Sequence, residues 1–142
     1  MIRYVLDSDH ISLFLGGQIE IQECVRREIL VTAISIVSVQ EVFNGWVSLL
    51  SRSDSEAQRI RAYAKLNSAL AFFKSMQVVN YDESASRIYQ QLIQANPALA
   101  KRRLEKDMRI ASIALANGAT IVTRNRRDFE LVTDLKIEDW SI

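Results

Sequence analysis

The sequence predicts an α/β domain: a central, mainly parallel sheet of four or five strands with helices on both faces. Three observations carry that expectation. Apolar runs near 2–6, 33–36, 76–79 and 119–123 read as strands, with a weaker fifth at Leu135-Lys136-Ile137. Segments of helical periodicity separate them. The chain has one proline and four glycines in 142 residues, which leaves no visible linker and points to a single domain over 1–142.

The elements follow in order. After the run 2–6 comes Asp7-Ser8-Asp9-His10, a polar entry to a short helix from Ile11 to Leu15. Ile21, Val25 and Ile29 fall at spacing four and predict a second helix. Beyond the run 33–36, Val39, Val42, Phe43, Trp46 and Leu50 make an apolar stripe. Ile60, Tyr63, Ala64, Leu70 and Phe73 mark a long helix over about 54–75. Asp82-Glu83-Ser84-Ala85 starts another, carried by Ala85, Ile88, Leu92 and Ala95 and stopped near Pro97. Asp107 opens a periodic segment through Met108, Ala111 and Leu115, and Gly118 suits its C-terminal cap before the run 119–123.

Composition narrows the class of protein. With 49% hydrophobic and 25% charged residues, the chain reads as an ordinary soluble globular domain. Its longest apolar stretch is far too short to span a bilayer, and no secretory signal is visible, so a cytoplasmic location with no membrane partner is the expectation. Cys24 and His10 are each the sole residue of their type, which rules out an intrachain disulfide and the usual His/Cys zinc site. Any resident metal must be hard and oxygen-bound, such as magnesium or manganese.

Four carboxylates, Asp7, Glu41, Asp107 and Asp128, each sit where an apolar run gives way to a turn or helix start. In a parallel sheet the carboxyl ends of the strands share one edge, and ligands bind there. Four acids on one edge repel each other, and a divalent cation is the usual reason to tolerate them.

Each acid also has a local structural reading. Asp7 could cap the first helix, but Ser8 and Asp9 could serve instead, which frees Asp7 for a metal. Ser38-Val39-Gln40-Glu41 matches the capping-box pattern, so Glu41 is either a site residue or a cap partner. Asp107 suits a helix dipole, although Glu105 already supplies that charge. Asp128 could cap a turn anchored by Phe129. Asp82 is read as a helix cap, and His10 as structural, with acid–base work the alternative.

Basic residues flank the last two acids. Lys101, Arg102, Arg103, Lys106 and Arg109 surround Asp107, and Arg124, Arg126 and Arg127 precede Asp128. They suit a phosphate backbone, or simply form a solvated helix start and polar loop.

The chain resembles the PIN-domain nucleases, and within them the VapC-type toxins of bacterial toxin–antitoxin pairs. The resemblance rests on Tyr4-Val5-Leu6-Asp7-Ser8-Asp9-His10, on Ile34 to Glu41 followed by Asn44-Gly45-Trp46, on Asp107-Met108-Arg109-Ile110-Ala111, on Gly118 to Phe129, and on Ile137-Glu138-Asp139-Trp140. It runs in family order from residue 2 almost to the end. The lead-in Arg102-Arg103-Leu104-Glu105-Lys106 departs from the family by being basic and free of glycine.

The resemblance implies a PIN-like three-layer fold. It implies a magnesium-dependent endoribonuclease, with manganese as a substitute, commonly a homodimer and held inactive by a cognate antitoxin. Asp7 and Asp107 would anchor the metal, with Glu41 and Asp128 completing the acidic cluster. Thr123 and Asn125 would orient waters or carboxylates, and Lys106, Arg124, Asn125 and Arg126 would contact the RNA. Rival readings are a DNA-cutting nuclease on the same site, a signalling receiver domain, and a scaffold that only binds a partner. The adjacent acid pair that a receiver needs after its first strand is absent, since Ser8 separates Asp7 from Asp9.

Overall fold

The computed structural model describes residues 1–142. Five strands form one sheet: β1 (Tyr4–Leu6), β2 (Thr32–Ser35), β3 (Gln77–Val79), β4 (Thr120–Val122) and β5 (Ile137–Glu138). Their order is β3-β2-β1-β4-β5, and every neighbouring pair is parallel. Leu6 is in register with Ile34 on one side and Val122 on the other. The weak fifth run does become a strand, though it starts at Ile137 rather than Leu135.

Seven helices cover the sheet: α1 (Ser8–Leu15), α2 (Ile19–Arg27), α3 (Ile36–Ser51), α4 (Glu56–Ser75), α5 (Glu83–Ala95), α6 (Glu105–Ala116) and α7 (Arg126–Phe129). Successive strand residues point to opposite faces. Val5 and Ile121 therefore enter a core built with Met108, Ile110 and Ile113 of α6 and Phe129 of α7. Leu6, Ile34 and Val122 enter a second core with Ile11, Ile21, Val25 and the Phe72–Phe73 pair of α4. The result is three layers. Helix α3 feeds both cores, through Val37 on one side and Val42 on the other. Ile110 has no solvent exposure. Truncating such a side chain to alanine costs about 2–5 kcal/mol.

Local chemistry sets the helix ends, and two differ from expectation. Helix α3 starts at Ile36, because the Ser35 hydroxyl accepts the Ser38 N–H at 3.0 Å. Ser38 is thus the third residue of the helix and not its cap. The capping box proposed for Ser38 to Glu41 does not form, and Glu41 is left in the second turn with its carboxylate free for other partners. Helix α2 ends at Arg27, so Ile29 falls in a 3-10 turn and is 40% exposed, outside the Ile21–Val25 stripe. Asp82 caps α5 as expected, accepting the Ala85 N–H at 3.0 Å. Gly118 takes φ +61° after α6. Its N–H reaches the Leu115 carbonyl while that of Ala119 reaches Ala114, the paired closure that needs a left-handed residue. No helix is long and apolar enough to cross a membrane.

Candidate active site

The two central strands bring the first acid and its support together. β1 and β4 are neighbours, and the Asp7 N–H donates to the Val122 carbonyl at 3.0 Å. The chain then leaves the sheet edge, and the Asp7 side chain turns back across it. Its Oδ1 accepts the Ser8 N–H at 2.6 Å, and its Oδ2 accepts the Thr123 hydroxyl at 2.8 Å. Asp7 itself is therefore the cap of α1, a role expected of Ser8 or Asp9. It is also only 3% exposed, so one carboxylate serves the helix and faces the cluster.

Ser8 and Asp9 have other work. The Ser8 hydroxyl lies 3.3 Å from both Asp7 Oδ1 and Glu41 Oε1, so it sits between two acids from different elements. Asp9 Oδ2 accepts both the backbone N–H and the Nε–H of Arg124, at 3.2 and 3.3 Å. Its Oδ1 is 2.9 Å from His10 Nδ1. His10 is fully buried, and its Nε2 accepts the Trp140 N–H at 3.1 Å. That bond leaves the proton on Nδ1, where it is donated to Asp9. His10 thus ties the C-terminal segment to α1.

Asp107 stands in the first turn of α6 and Asp128 in α7. Asn125 joins them, its amide donating to Asp107 Oδ2 at 3.3 Å and to Asp128 Oδ2 at 3.2 Å. Arg103 completes this side, donating to Asp128 Oδ1 at 3.1 Å.

The electrostatics show how closely the acids lie. The Asp107 carboxyl is pushed up to about 7, first by burial and then by the charges of Asp7, Glu41, Asp128 and Asp9. Burial also raises Glu41, with the charge of Asp7 adding to it. Asp7 is raised by burial, which outweighs the hydrogen bond from Thr123. Burial opposes ionisation at Asp9 and Asp128 too, but their hydrogen bonds win and hold both below the usual range. Those bonds come from His10 and Arg124 at Asp9, and from Arg103 and Asn125 at Asp128.

The four predicted acids are therefore brought to one edge, with Asp9 as a fifth at the margin. The predicted cations are less uniform. Lys106 lines a polar cavity of about 480 Å³ with Glu41, Asp107, Arg102, Arg103 and Glu105. Arg124 is held by Asp9, and Arg126 leans towards Glu130 at 3.7 Å. Arg109 turns away from Asp107 to pair with Glu105, and its guanidinium lies 4.7 Å from the Tyr89 ring centroid. Sequence reads Arg103 only as one of a basic group around Asp107 and Ser8 only as a possible cap, so neither contact with the acids is anticipated. Arg103 lies 25 positions from its partner Asp128, and no local pattern marks the pair.

The donor set fits a hard divalent ion. Every candidate ligand is oxygen, and the charges of Asp7, Glu41, Asp128 and Asp9 add to burial in raising Asp107. No three of the acids converge into a ready-made cage. Magnesium keeps several waters and needs only one or two carboxylates, so Asp7 and Asp107 are a sufficient pair in kind.

A parallel α/β sheet that gathers carboxylates at its carboxyl edge defines a class of acid-site domains. The sequence model of the PIN domain family matches residues 4–135, and the chain belongs to that family. Its fold is similar to a chain of the DNA-bound VapBC complex from Salmonella typhimurium, at 24% identity, 99% coverage of both chains and TM-score 0.76. VapBC2 from Rickettsia felis, bound to a promoter DNA fragment, gives 22% identity, 99% coverage of both chains and TM-score 0.77. VapBC-1 from nontypeable Haemophilus influenzae gives 24% identity, full coverage of both chains and TM-score 0.74. No curated protein sequence matches the chain.

Proposed function

We propose that the chain is a magnesium-dependent endoribonuclease and the toxin of a toxin–antitoxin pair. One observation carries the nuclease reading: four carboxylates from four separate elements stand at one edge of the sheet, near enough that their charges add to burial in raising Asp107 to about 7. Such a cluster opposes folding and is kept where a cation and a phosphate must meet. Membership of the PIN domain family supports it. The toxin role draws on the VapBC complexes that share the fold.

In this reading Asp7 and Asp107 hold the metal, and manganese can replace magnesium. When bound, the ion supplies Lewis-acid stabilisation and a water of lowered pKa. The protein's own residues do the rest. Thr123 and the Ser8 N–H fix both oxygens of Asp7. Asn125 sets the spacing of Asp107 and Asp128. Glu41 and Asp128 accept hydrogen bonds from waters at the cluster's rim. Lys106, with Arg102 beside it, offsets the charge of the RNA backbone in the shared cavity.

The protein acts in the cytoplasm, bound to its antitoxin when silent, and as a homodimer. Ile60, Tyr63 and Leu70 support the dimer, since all three are exposed on α4 at 68%, 61% and 41%.

The test is cleavage of single-stranded RNA and DNA by purified protein with magnesium, manganese or excess chelator. Cleavage of RNA that needs metal, and that disappears in Asp7→Asn and Asp107→Asn, is the expected result. Full activity in chelator, or in either variant, would sink the metal-site reading. Preference for DNA would move the substrate assignment and keep the site.

A further inference from the structure

A groove leaves the acidic cluster along α3, and the cleavage reading does not use it. Its first part is a cavity of about 620 Å³ that begins at Ser8, Asp9 and Glu41 and continues past Gly45 and Trp46 to Arg52. A second cavity of about 430 Å³ shares Trp46, Leu49, Arg52 and Lys65 with the first and extends it to Arg61. The two are one continuous groove between α3 and α4. Glu41 also lines the Lys106 cavity on the other side of the cluster. A chain crossing the acids would thus find a path in both directions.

The groove changes character along its length. Glu41, Gly45, Trp46, Leu49 and Arg52 recur at helical spacing, so they follow one face of α3. The eleven residue steps from Glu41 to Arg52, the C-cap of α3, cover roughly 16 Å along the helix axis. The start is acidic, the middle holds the half-buried indole of Trp46, and the far end carries Arg52, Arg61 and Lys65. None of these three cations forms an ion pair. Gly45 keeps the floor open: a Cβ built there meets nothing within 4 Å.

We infer that this groove is a single-stranded RNA subsite, in which Trp46 stacks on a base and Arg52 and Lys65 grip the phosphates beyond it. The inference rests on the nuclease reading and adds where the strand runs. An aromatic face followed by unpaired cations is the arrangement that binds single strands, because every base has a π-face and every nucleotide a phosphate. Three cations without carboxylate partners at the far end favour a polyanion over an apolar peptide, although Arg52 also donates its Nε–H to the Ser48 carbonyl at 3.3 Å.

The experiment uses fluorescence anisotropy with a labelled single-stranded RNA oligonucleotide, in an Asp107→Asn background that leaves the RNA uncut. Trp46→Ala should weaken binding about tenfold, and Trp46→Phe should recover most of it. Gly45→Leu keeps a helix-favouring residue in α3 but fills the groove, so it should weaken binding without lowering the melting temperature. Arg52→Gln with Lys65→Gln should reduce the slope of log affinity against log salt by about 1.4, the value for two single-strand phosphate contacts. Unchanged affinity in Gly45→Leu, with an unchanged salt slope in the double variant, would assign the groove to a protein partner and overturn the inference. Wild-type cleavage of the same RNA is read in parallel. Binding losses as expected, with no wild-type cleavage, would remove the nuclease reading and leave the RNA groove standing.

Discussion

The Thr123 hydroxyl donates to Asp7 Oδ2 at 2.8 Å, joining the ends of two neighbouring strands that lie 116 positions apart in sequence. The Thr123 hydroxyl oxygen in turn accepts the Asn125 N–H at 2.9 Å. Thr123 therefore orients the first acid and, through Asn125, the two acids opposite. Thr123→Val keeps the shape and removes both bonds. The Asp7 carboxyl, already raised by burial, should rise further once this bond is gone. Stability should fall by about 2 kcal/mol, the cost of leaving buried polar groups unpaired. RNA cleavage should drop and its pH profile should move upward. A variant with wild-type melting temperature and pH profile would show that the bond organises nothing.

Asp107 makes the metal-free protein pH-sensitive in a defined direction. Its folded-state value of about 7 lies above the ordinary 3.8, so the folded state holds the proton more tightly than the unfolded chain. Stability is then greatest at low pH from this group, and falls as pH rises from about 4 to about 7. Asp107→Asn should remove that slope and raise stability at neutral pH by about 1–2 kcal/mol after solvent screening. Magnesium or manganese should raise the wild-type melting temperature at neutral pH, and do so less at pH 5. Thermal melts across pH, in chelator and in metal, check both. A wild-type curve parallel to that of Asp107→Asn would refute the coupling.

Glu41 distinguishes chemistry from capping. Ser35 caps α3, so Glu41 carries no cap bond that a substitution could break. Glu41→Gln should leave the melting temperature unchanged or raise it, because it removes one charge from the cluster. RNA cleavage should fall by at least about tenfold, the lower range for a lost site group. A destabilised but fully active variant would reverse the assignment.

Growth is the readout for the toxin role. Expression of the wild-type chain alone should arrest bacterial growth, and Asp7→Asn should not. Co-expression of the antitoxin should restore growth. We expect the antitoxin to present an arginine to the acids, since a guanidinium can bind two carboxylate oxygens at once. Equal arrest by wild type and Asp7→Asn would separate toxicity from the metal site. No arrest by soluble wild type would favour a nuclease outside a toxin pair.

Much of this was legible in the sequence, because the relevant physics is local. Apolar runs of strand length, helical stripes and cap residues identified every strand and the main helices, and the rule that parallel strands share a carboxyl edge brought Asp7, Glu41, Asp107 and Asp128 together. Asp82 and Gly118 were read correctly because a cap depends on a few neighbouring residues. The start of α3 was misplaced because Ser35 and Ser38 carry the same capping signal, and only the direction of the chain leaving β2 selects between them.

The partners of each charge were decided by tertiary structure alone. Sequence placed Arg109 beside Asp107, yet one helical turn carries it to Glu105 and the Tyr89 ring. Arg124 looked free for RNA, but the closeness of β1 and β4 lays it on Asp9. Arg103 reaches Asp128, and His10 takes the Trp140 N–H, across separations that no periodicity encodes. A backbone pattern repeats every two or four residues and shows in the chain itself. A hydrogen bond between side chains depends on distances of a few ångströms between segments, which exist only once the layers have packed.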